Sequence, residues 1–157
     1  MKKILLTAVF ILSSISLFAQ KGWQVTIHPV DELQKTKEYT SYMYTDENGN
    51  NFVCWSNDKY NFRIINAEGI FDTDNNGHIR VQIGYYDMNN KLIKKEKKSL
   101  ALVKNDYQKA ETFNLFGGGK FLEYVKNEQG YVRILAPQYQ KVSPWEIVVP
   151  CISNENK

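Results

Sequence analysis

The sequence has few of the residues on which most enzyme active sites depend. Its 157 residues include two histidines and two cysteines. A Ser-His-Asp or Cys-His site would need His28 or His78, and the sequence has no Gly-x-Ser-x-Gly motif beside either one. A two-carboxylate hydrolase needs only acids such as Glu111, Glu123 and Glu146, but two of them must lie about 5 to 9 Å apart. We therefore predict no enzymatic activity and no cofactor.

Long apolar runs are absent except at the start of the chain. Lys2 and Lys3 precede an apolar run at residues 4–12, which small polar residues and a cleavage-like Leu-Phe-Ala at 17–19 follow. That order is typical of a secretory signal peptide. No other run approaches the roughly 20 apolar residues of a membrane span, and the residue directly after Ala19 is Gln20, not the cysteine that a lipid anchor would need. We predict a signal peptide at 1–19, a single domain at 20–157, and a secreted or periplasmic protein after cleavage near Ala19.

The predicted mature chain also lacks a strong net charge. The leader carries two of the 20 basic residues and none of the 17 acidic ones, so the mature net charge is +1. Such a balance gives no overall attraction to nucleic acid or to anionic lipid. We predict a protein or glycan partner, no nucleic acid, no membrane span and no lipid anchor.

Cys54 and Cys151 are the two cysteines of a chain predicted to reach an oxidising compartment. A bond between them would close a loop of about 97 residues and stabilise the fold by up to about 4.7 kcal/mol. The alternative is a pair of free thiols with redox or nucleophilic chemistry, for which no Cys-x-x-Cys is present. The sequence therefore predicts a structural disulfide.

Tyrosine, phenylalanine, valine and isoleucine dominate the rest of the chain and suit half-buried strands. The segments "TDENGN", "TDNNGH" and "YDMNNK" repeat one pattern, with aspartate two residues before asparagine and then Gly or Asn, which is typical of tight turns. One helical spacing, at about 119–127, lies between "GGG" and Gly130. About nine short strands predict an all-β, two-sheet antiparallel sandwich, immunoglobulin-like, with one short helix. The alternative is a closed eight-stranded barrel.

The octapeptide "DTDNNGHI" matches the start of a calcium loop, with Asp72, Asp74 and Asn76 at alternate positions. A complete loop needs a bidentate acid at its twelfth position, which here is Ile83 on the apolar side of a strand. We interpret the segment as a turn and predict no metal, while these three residues stay the candidates for a looser site.

Candidate ligand-binding residues come from a basic run and from aromatic residues that core packing does not explain. The run "KLIKKEKKS" includes Lys94, Lys95 and Lys97 and could bind a polyanion such as a uronic-acid or sulfated glycan. Its alternative role is to protect a strand edge from pairing with other chains. Three aromatic residues, Trp55, Tyr86 and Tyr139, are candidates for sugar stacking.

The segments "SLFAQ", "IRVQIGYYDMNNKLI" and "FLEYVKNEQGYVRILAPQY", followed by a Pro-Cys end, carry a resemblance to known proteins. The sequence resembles small exported β-sandwich proteins of unknown function from Gram-negative bacteria. The resemblance implies a compartment and a fold, and it transfers no active-site residue. We expect a non-enzymatic binding module for a glycan or protein, with a small polysaccharide hydrolase or an inhibitor of an extracellular enzyme as alternatives.

Overall fold

The computed structural model describes residues 22–33, 35–112 and 120–152, without the side chains of residues 59 and 60. The predicted signal peptide at 1–19 lies outside the described residues and stays a prediction. No helix among the described residues is long and apolar enough to cross a membrane.

Nine strands and one short helix account for the regular structure of the described residues, and we number them in chain order. The strands are β1 (Gly22–His28), β2 (Tyr39–Thr45), β3 (Asn51–Trp55), β4 (Asp58–Ile65), β5 (His78–Tyr86), β6 (Leu92–Val103), β7 (Asp106–Thr112), β8 (Tyr131–Ala136) and β9 (Trp145–Pro150). The helix α1 covers Phe121–Asn127, inside the range that the helical spacing predicted. The all-β prediction with one short helix is confirmed.

All nine strands form one antiparallel sheet, in the order β1-β2-β3-β4-β7-β6-β5-β8-β9. The first four strands follow one another as hairpins, and the chain then crosses to β5, returns through β6 and β7 to pair with β4, and adds β8 and β9 beyond β5. Trp23 of β1 donates its indole N–H to the carbonyl of Pro150 in β9 at 2.9 Å. The two ends of the sheet therefore approach each other, which requires a curled sheet.

The three repeated turn segments adopt one hydrogen-bond pattern. In each turn the aspartate carboxylate, from Asp46, Asp74 or Asp87, accepts the backbone N–H groups of the residues two and four positions later. The fourth residue of each turn, Gly49, Gly77 or Asn90, has a positive φ. Glycine and asparagine tolerate that conformation, which explains their place in the pattern. The turn prediction is confirmed at all three places.

The inner face of the curled sheet carries the core, and we call the opposite side the outer face. Alternate residues of β5 and β8, such as Ile83 and Ile134, are fully buried. The helix packs against β3 and β4, and its Phe121 ring meets the Phe62 ring edge-on at a centroid distance of 4.4 Å. One sheet therefore encloses the apolar side chains together with α1.

The predicted immunoglobulin-like sandwich of two sheets is not confirmed. The hydrogen-bonded order runs without a break from β1 to β9, so the described strands form one open sheet and not two. A closed barrel is not formed either, because β1 and β9 pair with each other nowhere in the described residues. The decisive pairing is that of β4 with β7, which joins strands that lie far apart in the chain. Local turn signals cannot predict a pairing of that kind.

The predicted disulfide is absent, because Cys54 and Cys151 are free thiols. Both are fully buried, as the alternation of their strands predicts. Cys54 lies on β3 directly opposite Phe62, while the Cys151 thiol lies 3.7 Å from the carbonyl oxygen of Tyr124 in α1. Burial raises the pKa of Cys54 to about 12 and that of Cys151 to about 11. Neither thiol is poised for nucleophilic chemistry near neutral pH.

Candidate functional site

The pairing of β5 with β6 sorts the basic run onto the two faces of the sheet. Residues directly opposite each other in an antiparallel pair lie on the same face. Lys94 lies opposite the buried Tyr85 and therefore belongs to the inner face. Lys95 lies opposite Gly84, and Lys97 lies opposite Gln82, so both belong to the outer face. The predicted lysine cluster is therefore two clusters.

On the inner face, Lys94 and Lys98 lie beside aromatic rings, and Lys94 is paired with the carboxylate of Glu96. Lys94 forms an ion pair with Glu96, and its ammonium lies 5.4 Å from the centroid of the Tyr85 ring. The Tyr85 hydroxyl donates to Glu96 at 3.1 Å, and burial together with this carboxylate raises the pKa of Tyr85. Lys98 lies 4.9 Å from the centroid of the Phe121 ring, and burial lowers its pKa. Lys94 is therefore occupied by Glu96 and Tyr85 on the inner face, away from Lys95 and Lys97.

On the outer face, Tyr86 lies next to Lys95. A side-chain carbon added at Gly84 would meet the Tyr86 ring at 2.7 Å, so the ring edge lies over the glycine. The ring stacks on Tyr131 of β8 with a centroid distance of 4.8 Å and an interplanar angle of 8°. Because Gly84 is the direct partner of Lys95, the aromatic ring comes next to that lysine. The sheet thus supplies an aromatic neighbour that the basic run lacks in sequence.

Arg133 of β8 completes this face. Its guanidinium donates to both carboxylate oxygens of Glu146 in β9, at 2.7 and 3.0 Å, and a hydrogen bond links it to the Tyr86 side chain. Glu146 raises the pKa of Arg133, and the guanidinium in turn lowers the pKa of Glu146. The bidentate pair holds the arginine in one orientation next to the tyrosine.

Three adjoining depressions cross the outer face and share Gln82 as a lining residue. One, of about 460 Å³, lies between Gln82 and the loop after β8, at Pro137 to Pro144. The second, of about 520 Å³, extends toward Asp74 and Lys97, and the third, of about 140 Å³, lies above Gly84. We call the three depressions together the outer-face groove. Its polar lining includes Arg80, Gln82, Lys95, Lys97 and Arg133.

Lys95 and Lys97 are two exposed charges of the groove, which Lys141 also lines in the loop after β8. Both are exposed, and neither forms an ion pair with a residue in the described part of the chain. β7 pairs with β6 only along residues 100–103, so residues 92–99 have a described partner on one side alone, in β5. That geometry fits the alternative role of the basic run, which is to protect a strand edge from pairing with other chains. It also leaves the ammonium groups of Lys95 and Lys97 in solvent.

The remaining predicted ligand residues lie away from the groove. Trp55 is on the outer face at the end of β3, where the Arg63 guanidinium lies 5.6 Å from its ring centroid and also binds Glu111 at 2.7 Å. Tyr139 is exposed in the loop after β8, with its backbone N–H bonded to the carbonyl of Ile70. The structure therefore unites Tyr86, Lys95 and Lys97 and leaves Trp55, Tyr139 and Lys94 elsewhere.

Two of the candidate calcium ligands, Asp74 and Asn76, belong to a tight turn. One carboxylate oxygen of Asp74 accepts the N–H groups of Asn76 and His78, and these two bonds lower the pKa of Asp74. Its other oxygen lies 3.6 Å from Arg80. Among the residues that the structure describes, no three His, Cys, Asp or Glu side chains gather as a metal site would require. Asp72, with its backbone N–H bonded to Pro137, lies outside the turn.

Arg80, Gln82 and Arg133 are groove residues that were not among the predicted ligand-binding residues. The signal was present in part, because Arg80 and Gln82 alternate with buried residues of β5 and must share one face. Pairing that face with β6 requires the hairpin register, which the "YDMNNK" turn sets. The pairing of β5 with β8, which brings in Arg133, is long-range and has no local signal.

Comparison with known proteins adds no function to this geometry, because no protein-family model, no curated protein and no solved structure matches the chain. The resemblance to exported proteins of Gram-negative bacteria therefore stays a prediction.

Proposed function

We propose that this protein is an exported, non-enzymatic binding module that takes an extended anionic polysaccharide in its outer-face groove. The supporting observation is the juxtaposition of two ammonium groups, on Lys95 and Lys97, that form no ion pair within the described residues, with the Tyr86–Arg133 pair on the same exposed sheet face. The proposal of export depends on the leader-like residues 1–19.

The chemistry of the groove favours an anionic glycan over a neutral one. Lys95 and Lys97 stand two residues apart on one strand, so their Cα atoms are about 7 Å apart. Carboxylate or sulfate groups repeated along a sugar chain can contact such a pair in succession. Gln82 provides both a donor and an acceptor for hydroxyl groups between the charges. A polymer of this kind fits a shallow, open groove better than a small compact ligand does.

The groove also contains an aromatic surface against which a sugar ring can pack. Tyr86 and Tyr131 stack on each other, and Leu92 lies beside the Tyr86 ring over Gly84. Aromatic rings pack well against the C–H groups of sugars because both surfaces are flat and apolar. We therefore expect the ligand to use charge for attraction and this aromatic ridge for position.

A panel of immobilised polysaccharides tests the proposal, with released products analysed by mass in the same samples. We expect retention on uronic-acid or sulfated polymers, no retention on neutral glucans, and no new oligosaccharides. New products would replace the proposal with the hydrolase alternative. A panel with no retention at all would overturn the proposed ligand class.

Lysine-to-alanine variants inside and outside the groove test whether the polymer binds there. The double substitution Lys95→Ala, Lys97→Ala removes two charges from the outer-face groove, while Lys37→Ala, Lys104→Ala removes two exposed charges outside it. We expect the first variant to lose about tenfold in affinity, because each exposed charge contact contributes up to about 1 kcal/mol. The second should bind like the unmodified protein. Equal losses in both would mean that net charge alone attracts the polymer.

A further inference from the structure

Within the described residues, the first strand, β1, is an edge of the sheet without the usual protecting features. In the described strand order, β1 and β9 are the two outermost strands. Edge strands expose backbone N–H and C=O groups, which natural proteins shield with charges, proline or bulges. β9 carries the charged Glu146 and ends at Pro150. β1 has the sequence GWQVTIH, without an acidic residue, a lysine or an arginine, and it pairs with β2 without a register shift.

Exposed apolar side chains are concentrated at this edge. Val25 and Ile27 are on the same side of β1 as the half-buried Trp23, yet they are 54% and 67% exposed. Val30 and Leu33, in the segment directly after the strand, are 62% and 97% exposed. Alternation predicts burial for Val25 and Ile27, so the fold as described leaves them without a cover. Such a cluster is typical of an interaction surface.

We propose that β1 is a dimerisation edge, through which two copies of this chain pair antiparallel and continue one sheet into the other. The second copy is the favoured partner because β1 is complementary to itself. When the twofold axis passes through Thr26, Val25 of each copy lies opposite Ile27 of the other, and Gln24 lies opposite His28. Apolar side chains then lie opposite apolar ones, polar side chains lie opposite polar ones, and no two like charges are opposite each other.

The position of Trp23 selects this register over its neighbour. An axis through Val25 would put Ile27 opposite Trp23, but the Trp23 indole is already bonded to Pro150 and packs against Tyr44. An axis through Thr26 leaves Trp23 outside the paired region and covers both exposed side chains. The inference is independent of the proposed glycan site, because the groove lies on β5, β6 and β8.

The paired strand is short, so the dimer should be weak. One strand edge with two apolar side chains per copy buries less than the roughly 1,200 Å² at which stable complexes begin. We therefore expect an equilibrium that shifts with dilution. In sedimentation equilibrium of the purified protein, the mean mass should rise from one copy toward two between about 10 µM and about 1 mM.

A lysine at position 26, on the proposed twofold axis, tests whether β1 forms the dimer interface. Thr26→Lys would place two ammonium groups opposite each other, and we expect it to stay monomeric over the same concentrations. Asn75→Lys, in an exposed turn far from β1 in sequence, adds the same charge and should dimerise like the unmodified protein. Circular dichroism and the melting temperature of both variants should match the unmodified protein. A protein that is monomeric at every concentration, or a Thr26→Lys variant that dimerises normally, would overturn the proposal.

Cysteine cross-linking tests the register, since the native thiols are buried and do not compete. With a short bismaleimide, Thr26→Cys should cross-link to itself. A mixture of Val25→Cys and Ile27→Cys should cross-link more than either variant alone. Cross-linking of Val25→Cys alone in preference to Thr26→Cys would refute the register, and no cross-linking at any of these positions would refute the paired edge.

Discussion

Replacement of Gly84 by alanine should change stability in opposite directions according to whether Tyr86 is present. The φ of Gly84 is not positive, so alanine suits its backbone. The added carbon would lie 2.7 Å from a ring carbon of Tyr86 and 3.2 Å from its hydroxyl, so the ring must move. That movement breaks the stack on Tyr131 and the hydrogen bond to Arg133.

The sizes of the opposing contributions determine whether Gly84→Ala raises or lowers the free energy of unfolding, with and without Tyr86. Loss of the aromatic pair costs about 0.5 to 1.5 kcal/mol, and loss of the partly exposed hydrogen bond costs about 0.5 to 1 kcal/mol. The lower entropy of the unfolded alanine chain offsets about 0.4 to 1 kcal/mol. Gly84→Ala alone should therefore lower the free energy of unfolding by about 1 kcal/mol. In a Tyr86→Ala background the same change should raise it by about 0.4 to 1 kcal/mol.

Urea unfolding of the four proteins in this cycle, followed by tryptophan fluorescence, measures both effects and their coupling. The expected coupling energy is about 1.5 to 2 kcal/mol. If alanine at position 84 had the same effect with and without the Tyr86 ring, the ring would not lie over the glycine. The groove would then lack its aromatic wall.

Two further changes test the packing around the site. The unfolded thiols of Cys54 and Cys151 ionise above their ordinary pKa of 9.0, while burial keeps the folded thiols protonated up to about 11 or 12, so stability should fall as the pH rises through this window. From pH 9 to 10 we expect a loss of up to about 2 kcal/mol from the two thiols, because the unfolded thiols are already half ionised at pH 9. Gly130→Ala would put a carbon 2.1 Å from the Tyr86 carbonyl at a φ of 131°, and should cost more than about 2 kcal/mol.

Each of these changes has a matched control. The double variant Cys54→Ala, Cys151→Ala keeps every tyrosine and lysine, so urea unfolding against pH should show a smaller alkaline loss than in the unmodified protein. Parallel pH dependences would contradict the burial of the thiols. For Gly130→Ala the control is Gly77→Ala, which has a φ of 74° but open space around the added carbon. Melting temperatures that fall equally would mean that the close contact at Gly130 adds nothing to the backbone strain.

Local patterns in the sequence predict the turns, the strands and the helix of this protein. The aspartate, asparagine and glycine of each turn are close in the chain, and their hydrogen bonds involve only neighbours. The single curled sheet is different, because the pairing of β4 with β7 joins Arg63 to Glu111 across 48 residues. Strand alternation cannot specify which distant strands meet. A sandwich and a curled sheet therefore have the same local signals.

Local sequence patterns likewise predict some features of the candidate site and not others. The basic run in the sequence groups Lys94 with Lys95 and Lys97, whereas alternation along β6 places Lys94 on the inner face and the other two on the outer face. The place of Tyr86 beside Lys95 depends on the glycine at position 84, a close approach that sequence spacing does not reveal. The burial of Cys54 and Cys151 follows from alternation, whereas their pairing would require a distance between strands that alternation does not give.

The most direct test of the proposed function is the affinity for a soluble uronic-acid polymer at two salt concentrations. Isothermal titration would compare the unmodified protein with the Lys95→Ala, Lys97→Ala variant. We predict binding that weakens with salt, an affinity about tenfold lower in the variant, and a shallower salt dependence, because two of the contacted charges are gone. Identical affinities and salt dependences for the two proteins would contradict the assignment of ligand binding to the outer-face groove.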